Sequence, residues 1–239
     1  MRRAPQRSAY PWRKPPAEWD RRPLGVKRET IIEVGTRLLA EHGLDGMSLN
    51  AMMRLTGIER SVQYRFYPTK ADIVQEIAGI YLGRIYKALD SVGLDDMSEP
   101  KRLGVMARAL ARAAHRRPDE HRVLMMGLAS LPVDARLALR TRLKWLHAGL
   151  AEAVGQRLPD LDPAAAEERA AQLMLLLAGP PLWAAERDEA AVDAAADAAV
   201  AAVTVQAARR RRASASPATP APSSAALAGS GTVTGTTAA

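Results

Sequence analysis

The sequence predicts an all-α fold, and three observations lead to this prediction. Apolar residues recur at intervals of three and four along most of the chain, there is little alternation of period two, and no internal repeat is present. The chain has 239 residues, 48% of them hydrophobic, so it is long enough for one large or two small domains with apolar cores.

Composition excludes several classes of protein. Cysteine is absent, which rules out disulfides, thiolate zinc sites and cysteine nucleophiles. No apolar run is long enough for a membrane span or a secretory signal, so we expect a cytoplasmic protein that does not enter a membrane. The four histidines form no recognisable metal set, and we expect no metal or other cofactor: His42, His115, His121 and His147.

The positive charge is concentrated near the N-terminus. The whole chain has a net charge of +8, which favours an acidic partner such as nucleic acid. Residues 1–28 hold nine Lys/Arg against two Asp/Glu, a net charge of +7, whereas residues 29–74 hold five against six. A second basic run lies at Arg209–Arg212.

Both terminal segments have compositions that do not build a core. Residues 1–24 are basic and proline-rich without helical periodicity, and residues 213–239 form a Ser/Thr/Pro/Ala/Gly tract. We expect both to be disordered. The folded part between them divides into residues 25–85 and residues 86–212.

The first helix is expected from about Lys27 to Glu41. Gly43 should stop this helix, since glycine is favoured just beyond a helix C-terminus. Its buried side should consist of apolar residues at helical spacing: Ile31, Ile32, Val34, Leu38 and Leu39.

Three further helices follow closely. Ser48 should cap a short second helix that Gly57 ends, and a third short helix should span about residues 60–67 before Pro68 breaks it. Thr69 is well placed to cap a long fourth helix. Two short helices with a tight glycine turn after a supporting helix are typical of a helix-turn-helix, here at about residues 48–67.

From Ile31 to Val74 the chain resembles the DNA-binding domain of the TetR family of transcriptional regulators. The residues that carry the resemblance fall in register without a gap: Gly35, Leu38, Leu39, Gly43, Ser48, Leu49, Met52, Gly57, Ile58, Tyr64, Tyr67, Lys70 and Ile73. The resemblance implies that the third helix enters the major groove of operator DNA and that Tyr64 and Lys70 contact phosphates.

The third helix is short and polar, which favours a role in reading DNA over packing alone. Arg pairs with guanine edges and Gln with adenine edges. A serine at a helix N-terminus, with the neighbouring backbone amides, can bind a phosphate. The predicted DNA-binding residues are Ser48, Arg60, Ser61, Gln63, Tyr64, Arg65, Tyr67 and Lys70. We expect Val62 and Phe66 to pack against neighbouring helices. The alternative for Val62 is a contact with a thymine methyl group. For Ser48 a cap without DNA contact stays open.

Three features leave alternatives open. Arg54 on the second helix is either a solvated charge or a phosphate contact, and the basic arm either lies along DNA or is a flexible leader. Glu59 replaces the Ser or Thr that is usual in the family and repels phosphate, although it is compatible with a helix N-terminus, where it can pair with Arg60 or with backbone amides.

The remainder predicts a helical bundle, which the resemblance assigns to effector binding and to homodimer formation through the last two helices. The alternative for each residue proposed for these roles is a place in the apolar core of the monomer. The dimer candidates are Leu173, Leu176, Leu177, Leu182, Val192, Val200 and Val203. The candidates for an apolar effector pocket are Met106, Met125, Met126, Trp145, Met174 and Trp183.

These predictions describe a homodimeric regulator that binds a palindromic double-stranded operator, acts as a repressor and is released by a small apolar effector. No nucleophile elbow, phosphate-binding glycine loop or paired-carboxylate site supports an enzyme. The alternative is a TetR-like interaction module without specific operator binding, which Glu59 favours.

Overall fold

The computed structural model describes residues 25–94, 97–179 and 188–215, with the backbone only at 99–100 and 206–215. The described residues form helices and no strand, so the predicted all-α fold is confirmed. The first four helices are α1 (Val26–Gly46), α2 (Leu49–Thr56), α3 (Arg60–Phe66) and α4 (Lys70–Asp90).

The predicted signals at Ser48, Gly57 and Thr69 are seen, whereas α1 continues past its predicted stop at Gly43 to Gly46. Gly43 has a φ of 67°, which interrupts the regular part of α1. Ser48 Oγ accepts a hydrogen bond from the Ala51 amide at 3.3 Å, and Gly57 ends α2 with a φ of 65°. Thr69 and Asp72 form a reciprocal capping box at the start of α4.

Within the described residues, the second part of the chain contains five helices that pack as a bundle. They are α5 (Glu99–Arg116), α6 (Pro118–Gly127), α7 (Val133–Arg157), α8 (Pro163–Ala178) and α9 (Glu189–Ala215), with a 3₁₀ turn at Leu128–Ser130. The helix α9 continues three residues beyond residue 212, where the predicted tail begins.

Polar contacts define how the bundle helices run. Arg102 on α5 donates to the Leu94 carbonyl at 3.0 Å and to Gln156 at the end of α7, also at 3.0 Å. His147 on α7 hydrogen bonds to the Glu167 carbonyl on α8 at 2.9 Å. The start of α5 and the end of α7 therefore lie at the same end of the bundle, near the C-terminal end of α4 and away from α1–α3. The helices α7 and α8 run antiparallel.

The apolar core is continuous through both parts. Fully buried side chains include Ile31 on α1, Ile73 and Leu82 on α4, Met106 on α5 and Leu173 on α8. The predicted inner face of α1 is buried except for the half-buried Ile32. The long helix α4 therefore connects the first three helices to the bundle through one core.

The dimer candidates divide between core and surface. Leu173, Leu177, Val192 and Val203 are buried within the chain, whereas Leu176 is 46% exposed. Val200 is half-buried and Leu182 lies outside the described residues. The neighbouring Leu175, which is not among the predicted dimer residues, is 69% exposed.

The effector-pocket candidates also divide. Met106 is buried, Trp145 packs edge-on against Tyr86 with ring centroids 5.0 Å apart, and Met174 is half-buried. Met125 and Met126 are 42% and 61% exposed, so they belong neither to the core nor to the lining of a buried pocket in this conformation. They occupy the outward side of the last turn of α6. Trp183 lies outside the described residues.

Among the described residues, no helix combines the length and the apolar character that crossing a membrane requires.

Candidate DNA-binding site

A tight turn joins the helices α2 and α3. Gly57 makes the turn between them in the left-handed backbone region, which residues with a side chain rarely adopt. The Ile58 amide donates to the Thr56 hydroxyl at 3.3 Å, which holds the connection. The turn leaves one side of α3 in solvent.

The solvent side of α3 carries most of the predicted reading residues. Arg60, Ser61 and Arg65 are exposed and Tyr64 is half-buried. The Arg60 guanidinium lies over the Tyr64 ring, 5.3 Å from its centroid, so these two side chains share one orientation. Two cations, a small hydroxyl and a phenol thus lie within a helix about 10 Å long.

Gln63 faces the interior, contrary to the sequence-based prediction. Its side chain is fully buried, and its amide nitrogen and oxygen have no hydrogen-bond partner among the described residues. In this conformation it does not reach a DNA groove. The reason is helical geometry: residues 63 and 67 lie four positions apart on the side of α3 that faces the core, and polarity alone did not reveal this.

Tyr67 is also buried, with 2% of its side chain exposed, so the prediction of a surface contact with DNA is wrong for the conformation seen here. Its hydroxyl accepts a hydrogen bond from Nε of Arg28 on α1 at 3.4 Å. Tyr67 therefore contributes to the position of α3 instead of forming its outer surface.

Arg28 is a positioning residue that sequence reasoning missed. Its guanidinium lies 5.9 Å from the Phe66 ring centroid and 5.6 Å from that of Tyr67, and Nη2 lies 3.5 Å from Glu76 on α4. The Tyr67 hydroxyl, with a further contribution from Glu76, raises the pKa of Arg28. This single cation connects α1, the end of α3 and α4. Its partners are 38 or more positions away, so no local pattern indicates them.

Two residues at helix starts flank α3. Ser48 is exposed, and because its oxygen accepts from the Ala51 amide, its hydroxyl proton stays available for an acceptor such as phosphate. Lys70 is half-buried and donates from Nζ to the Leu44 carbonyl at 3.0 Å, which joins α4 to the end of α1. An ammonium group has three protons, so this bond leaves others for phosphate.

Glu59 is exposed and makes no side-chain cap to the amides of α3, so its expected pairing with those amides is not seen. Arg60, its other expected partner, is turned onto Tyr64. Arg54 is exposed on α2, which keeps both of its interpretations open. The carboxylate of Glu59 therefore remains at the surface beside the predicted DNA-binding residues.

The helix α6 connects this site to the bundle by packing against both α1 and α4. A Cβ atom added at Gly127 would lie 2.6 Å from Val74 Cγ1, so the two helices touch at this glycine. Glu120 on α6 forms an ion pair with Arg84 on α4.

His121 on α6 joins α4 to α8. Its Nε2 lies 2.8 Å from the Ala178 carbonyl, which only accepts, so Nε2 carries the proton and Nδ1 accepts from the Tyr81 hydroxyl at 2.9 Å. Burial lowers the pKa of His121, opposed by the bond to Ala178 and assisted by Arg122, and burial also raises the pKa of Tyr81. No group of three possible metal ligands is present among the described residues.

Solved structures share this architecture. A TetR-family regulator from Bordetella parapertussis 12822 is 20% identical, with a TM-score of 0.68 over 75% of this chain and 95% of its own. AibR, solved with isovaleryl coenzyme A and operator DNA, is 18% identical, with a TM-score of 0.63 over 73% and 96%. The ketosteroid regulator KstR2 of Mycobacterium tuberculosis is 17% identical, with a TM-score of 0.63 over 77% and 96%.

Neither a protein-family model nor a curated protein sequence matches the chain. The likeness to solved structures nevertheless covers nearly the whole length of each of them, and it includes both the helix-turn-helix and the bundle. The chain therefore has the fold of the TetR family of transcriptional regulators.

Proposed function

We propose that this protein is a DNA-binding transcriptional regulator whose helix α3 reads the major groove of an operator. The observation that carries the proposal is the outer surface of α3, where Arg60, Ser61, Tyr64 and Arg65 lie together in or near solvent at the end of the molecule. A helix that presents arginines in this way matches the geometry of direct readout.

The buried residues refine which side chains read bases. Arg60 and Arg65 become the proposed base contacts, each worth about 1 to 3 kcal/mol of discrimination when bidentate to guanine. Ser48, Tyr64 and Lys70 are the proposed phosphate contacts, while Gln63 and Tyr67 support α3 from inside. We assign residues 25–85 to DNA binding, with the helix-turn-helix at about 48–67, and residues 86–212 to effector binding and dimer formation.

We further propose that the protein binds a palindromic operator as a homodimer formed through α8 and α9. The exposed Leu175 and Leu176 near the end of α8 and Val205 on α9 support this proposal, since apolar side chains of this size favour contact with another surface. Two-fold symmetry would place two copies of α3 on successive half-sites of the operator.

The regulator is proposed to act as a repressor that a small apolar ligand releases. AibR, which has this fold, was solved with isovaleryl coenzyme A and operator DNA together. In this chain, Met106, Trp145 and Met174 remain candidates for contact with a ligand within the bundle. A ligand changes operator affinity only if the two bind different conformations preferentially, and the contact of α6 with α1 and α4 supplies a physical link between the sites.

Selection from a pool of random duplexes tests this function and identifies the operator sequence in the same experiment. We expect the full chain to enrich one palindromic sequence and to bind it with two copies per duplex. Substitution of both Arg60 and Arg65 by Ala should weaken binding to that sequence by about 10- to 1000-fold, since the variant can no longer make either base contact.

Arg140→Ala provides a matched control, because Arg140 is an exposed arginine on α7 in the bundle. It should leave operator affinity unchanged. Failure to enrich any sequence would favour the interaction module without operator binding. Enrichment that survives the double substitution would instead show that α3 is not the reader.

A further inference from the structure

The outer side of α7 carries a row of three cations. Arg136, Arg140 and Lys144 follow one another at four-residue spacing, with Arg140 and Lys144 exposed and Arg136 half-buried. Successive members are about 6 Å apart along the helix axis. Two aliphatic side chains lie on the same side, Val133 and Leu137, which are 59% and 53% exposed. We call these five residues the α7 stripe.

In the part of the chain that the structure describes, no carboxylate pairs with the cations of the α7 stripe. Within residues 25–94, 97–179 and 188–215, none of its three cations takes part in an ion pair or a side-chain hydrogen bond. The antiparallel α8 has no charged residue at positions 170–177, which lie level with the stripe. Like charges four positions apart destabilise a helix, so the stripe is unfavourable for the isolated chain.

The same molecule contains an identically spaced row of cations that is matched. Arg108, Arg112 and Arg116 on α5 face an acidic row on α9 that has the same spacing. Arg108 pairs with Asp197 at 2.8 Å, Arg112 with Asp193 at 2.6 Å and Arg116 with Glu189 at 2.8 Å. An antiparallel helix with carboxylates at positions i, i+4 and i+8 is therefore a sterically feasible partner for such a row.

From this correspondence we infer that the α7 stripe is a docking surface for an acidic amphipathic helix of another protein. Carboxylates at i, i+4 and i+8 of that helix would face Arg136, Arg140 and Lys144. Its small apolar residues would cover Val133 and Leu137. The inference goes beyond the proposed operator binding and does not depend on it.

The chemistry of the stripe favours a protein helix over the other polyanions. A duplex would leave Val133 and Leu137 against phosphates and water, with no apolar contact. Membrane-surface helices need a large apolar face with aromatic side chains, whereas the inner side of α7 is already buried in the bundle, as at Leu139 and Leu146. Charge and aliphatic exposure together fit an acidic helix.

A peptide with the sequence of residues 188–205 is a suitable probe, because it contains the acidic row of α9. Its binding to the full chain can be followed by fluorescence anisotropy. We expect Arg136→Glu, Arg140→Glu and Lys144→Glu together to weaken binding by about tenfold or more. Replacement of the three carboxylates of the peptide's acidic row, at positions 189, 193 and 197, by amides should have the same effect. Lys101→Glu, a single charge reversal of the same kind on α5, should leave the affinity unchanged. Circular dichroism verifies that each variant is folded.

Several outcomes would overturn the inference. Absence of peptide binding would overturn it. Binding that the triple variant retains would also overturn it, because the peptide would then be displacing α9 from α5. Stripe-dependent binding to phosphatidylglycerol vesicles or to random duplex DNA in place of the peptide would show another class of ligand. A change in the solution mass of the triple variant, measured by light scattering, would show that a second copy of this chain covers the stripe.

Discussion

Gln63 is a polar residue at a position of α3 that is closed to solvent. A buried amide without hydrogen bonds costs about 1 to 3 kcal/mol. We therefore expect Gln63→Leu to raise the free energy of unfolding by about that amount, because leucine has a similar length and no polar atoms to desolvate. Urea denaturation followed by circular dichroism measures the change.

Gln63→Ala is the control for this prediction, since it removes the amide but leaves a cavity that offsets the gain. A lower midpoint for Gln63→Leu than for the wild type would contradict the burial of residue 63. If operator selectivity disappears while stability rises, the glutamine turns outward when α3 docks on DNA.

His121 makes stability depend on pH. Its pKa is lowered in the folded state, chiefly by burial, so the unfolded chain takes up the proton first as the pH falls. The stability that neutral His121 contributes is complete above about pH 6.5 and is lost as the pH falls from there through its folded pKa. We expect His121→Gln to reduce the difference in unfolding free energy between pH 7.5 and pH 5.5. Parallel wild-type and variant profiles would show that the proton is accommodated without cost.

At the residue scale, the sequence predicts the exposed side of α3 better than its buried side. Arg60, Ser61 and Arg65 are exposed as expected, because charged and small polar residues on a short helix seldom face a core. The position of Gln63 is predicted wrongly because polarity and helical phase disagree there, and a helix of about two turns is too short for the period to decide. Arg28 was missed because Phe66, Tyr67 and Glu76 are distant in sequence.

The helices α6 and α4 lie close together at Gly127, where the two parts of the molecule meet. Gly127 has helical dihedral angles, so alanine there would be favoured by helix propensity alone. An added Cβ would however lie 2.6 Å from Val74 Cγ1. We expect Gly127→Ala to lower the free energy of unfolding by about 1 to 3 kcal/mol, because the helices must separate.

Gly104 on α5 is the matched control for this substitution. No atom lies within 4 Å of a Cβ added there, so Gly104→Ala should stabilise the protein by about 0.5 to 1 kcal/mol through helix propensity. Val74→Ala should restore part of the stability that Gly127→Ala removes. A Gly127→Ala variant as stable as Gly104→Ala would show that α6 moves away without cost. Thermal and urea unfolding of the four proteins distinguish these results.

At the scale of elements, the ends of the helices follow from local chemistry and their partners do not. Ser48, Gly57 and Thr69 act through neighbouring backbone groups, so their roles can be predicted from a few adjacent residues. The acidic row on α9 and the basic row on α5 are each visible in the sequence. Their pairing depends on the course of the chain between them, which helical periodicity does not contain.

At the scale of the whole molecule, the backbone of the basic run Arg209–Arg212 lies far from the helix-turn-helix. Glu189 at the start of α9 pairs with Arg116 at the end of α5, beside α6 and hence near α1–α3. The helix α9 then runs away from that end, so the backbone of Arg209–Arg212 lies about 30 Å farther along its axis. This run is remote from the surface proposed to bind DNA. The basic arm of residues 1–24, by contrast, directly precedes α1.

This arrangement predicts which basic segment contributes to operator affinity. Removing residues 1–22 deletes seven Lys/Arg and two Asp/Glu. If the arm lies along DNA, the slope of log K against log salt concentration should become shallower by about 0.9 for each phosphate that the arm neutralises. Replacing all four residues of Arg209–Arg212 by Ala removes four charges and should leave the slope unchanged. Anisotropy titrations of the selected operator between about 50 and 300 mM salt measure the slope for both variants, because binding depends steeply on salt in this range. A slope altered only by the substitution of Arg209–Arg212 would mean that DNA wraps to the far end of the bundle. An unaltered slope in the deletion variant would show that the arm is a leader that does not touch DNA.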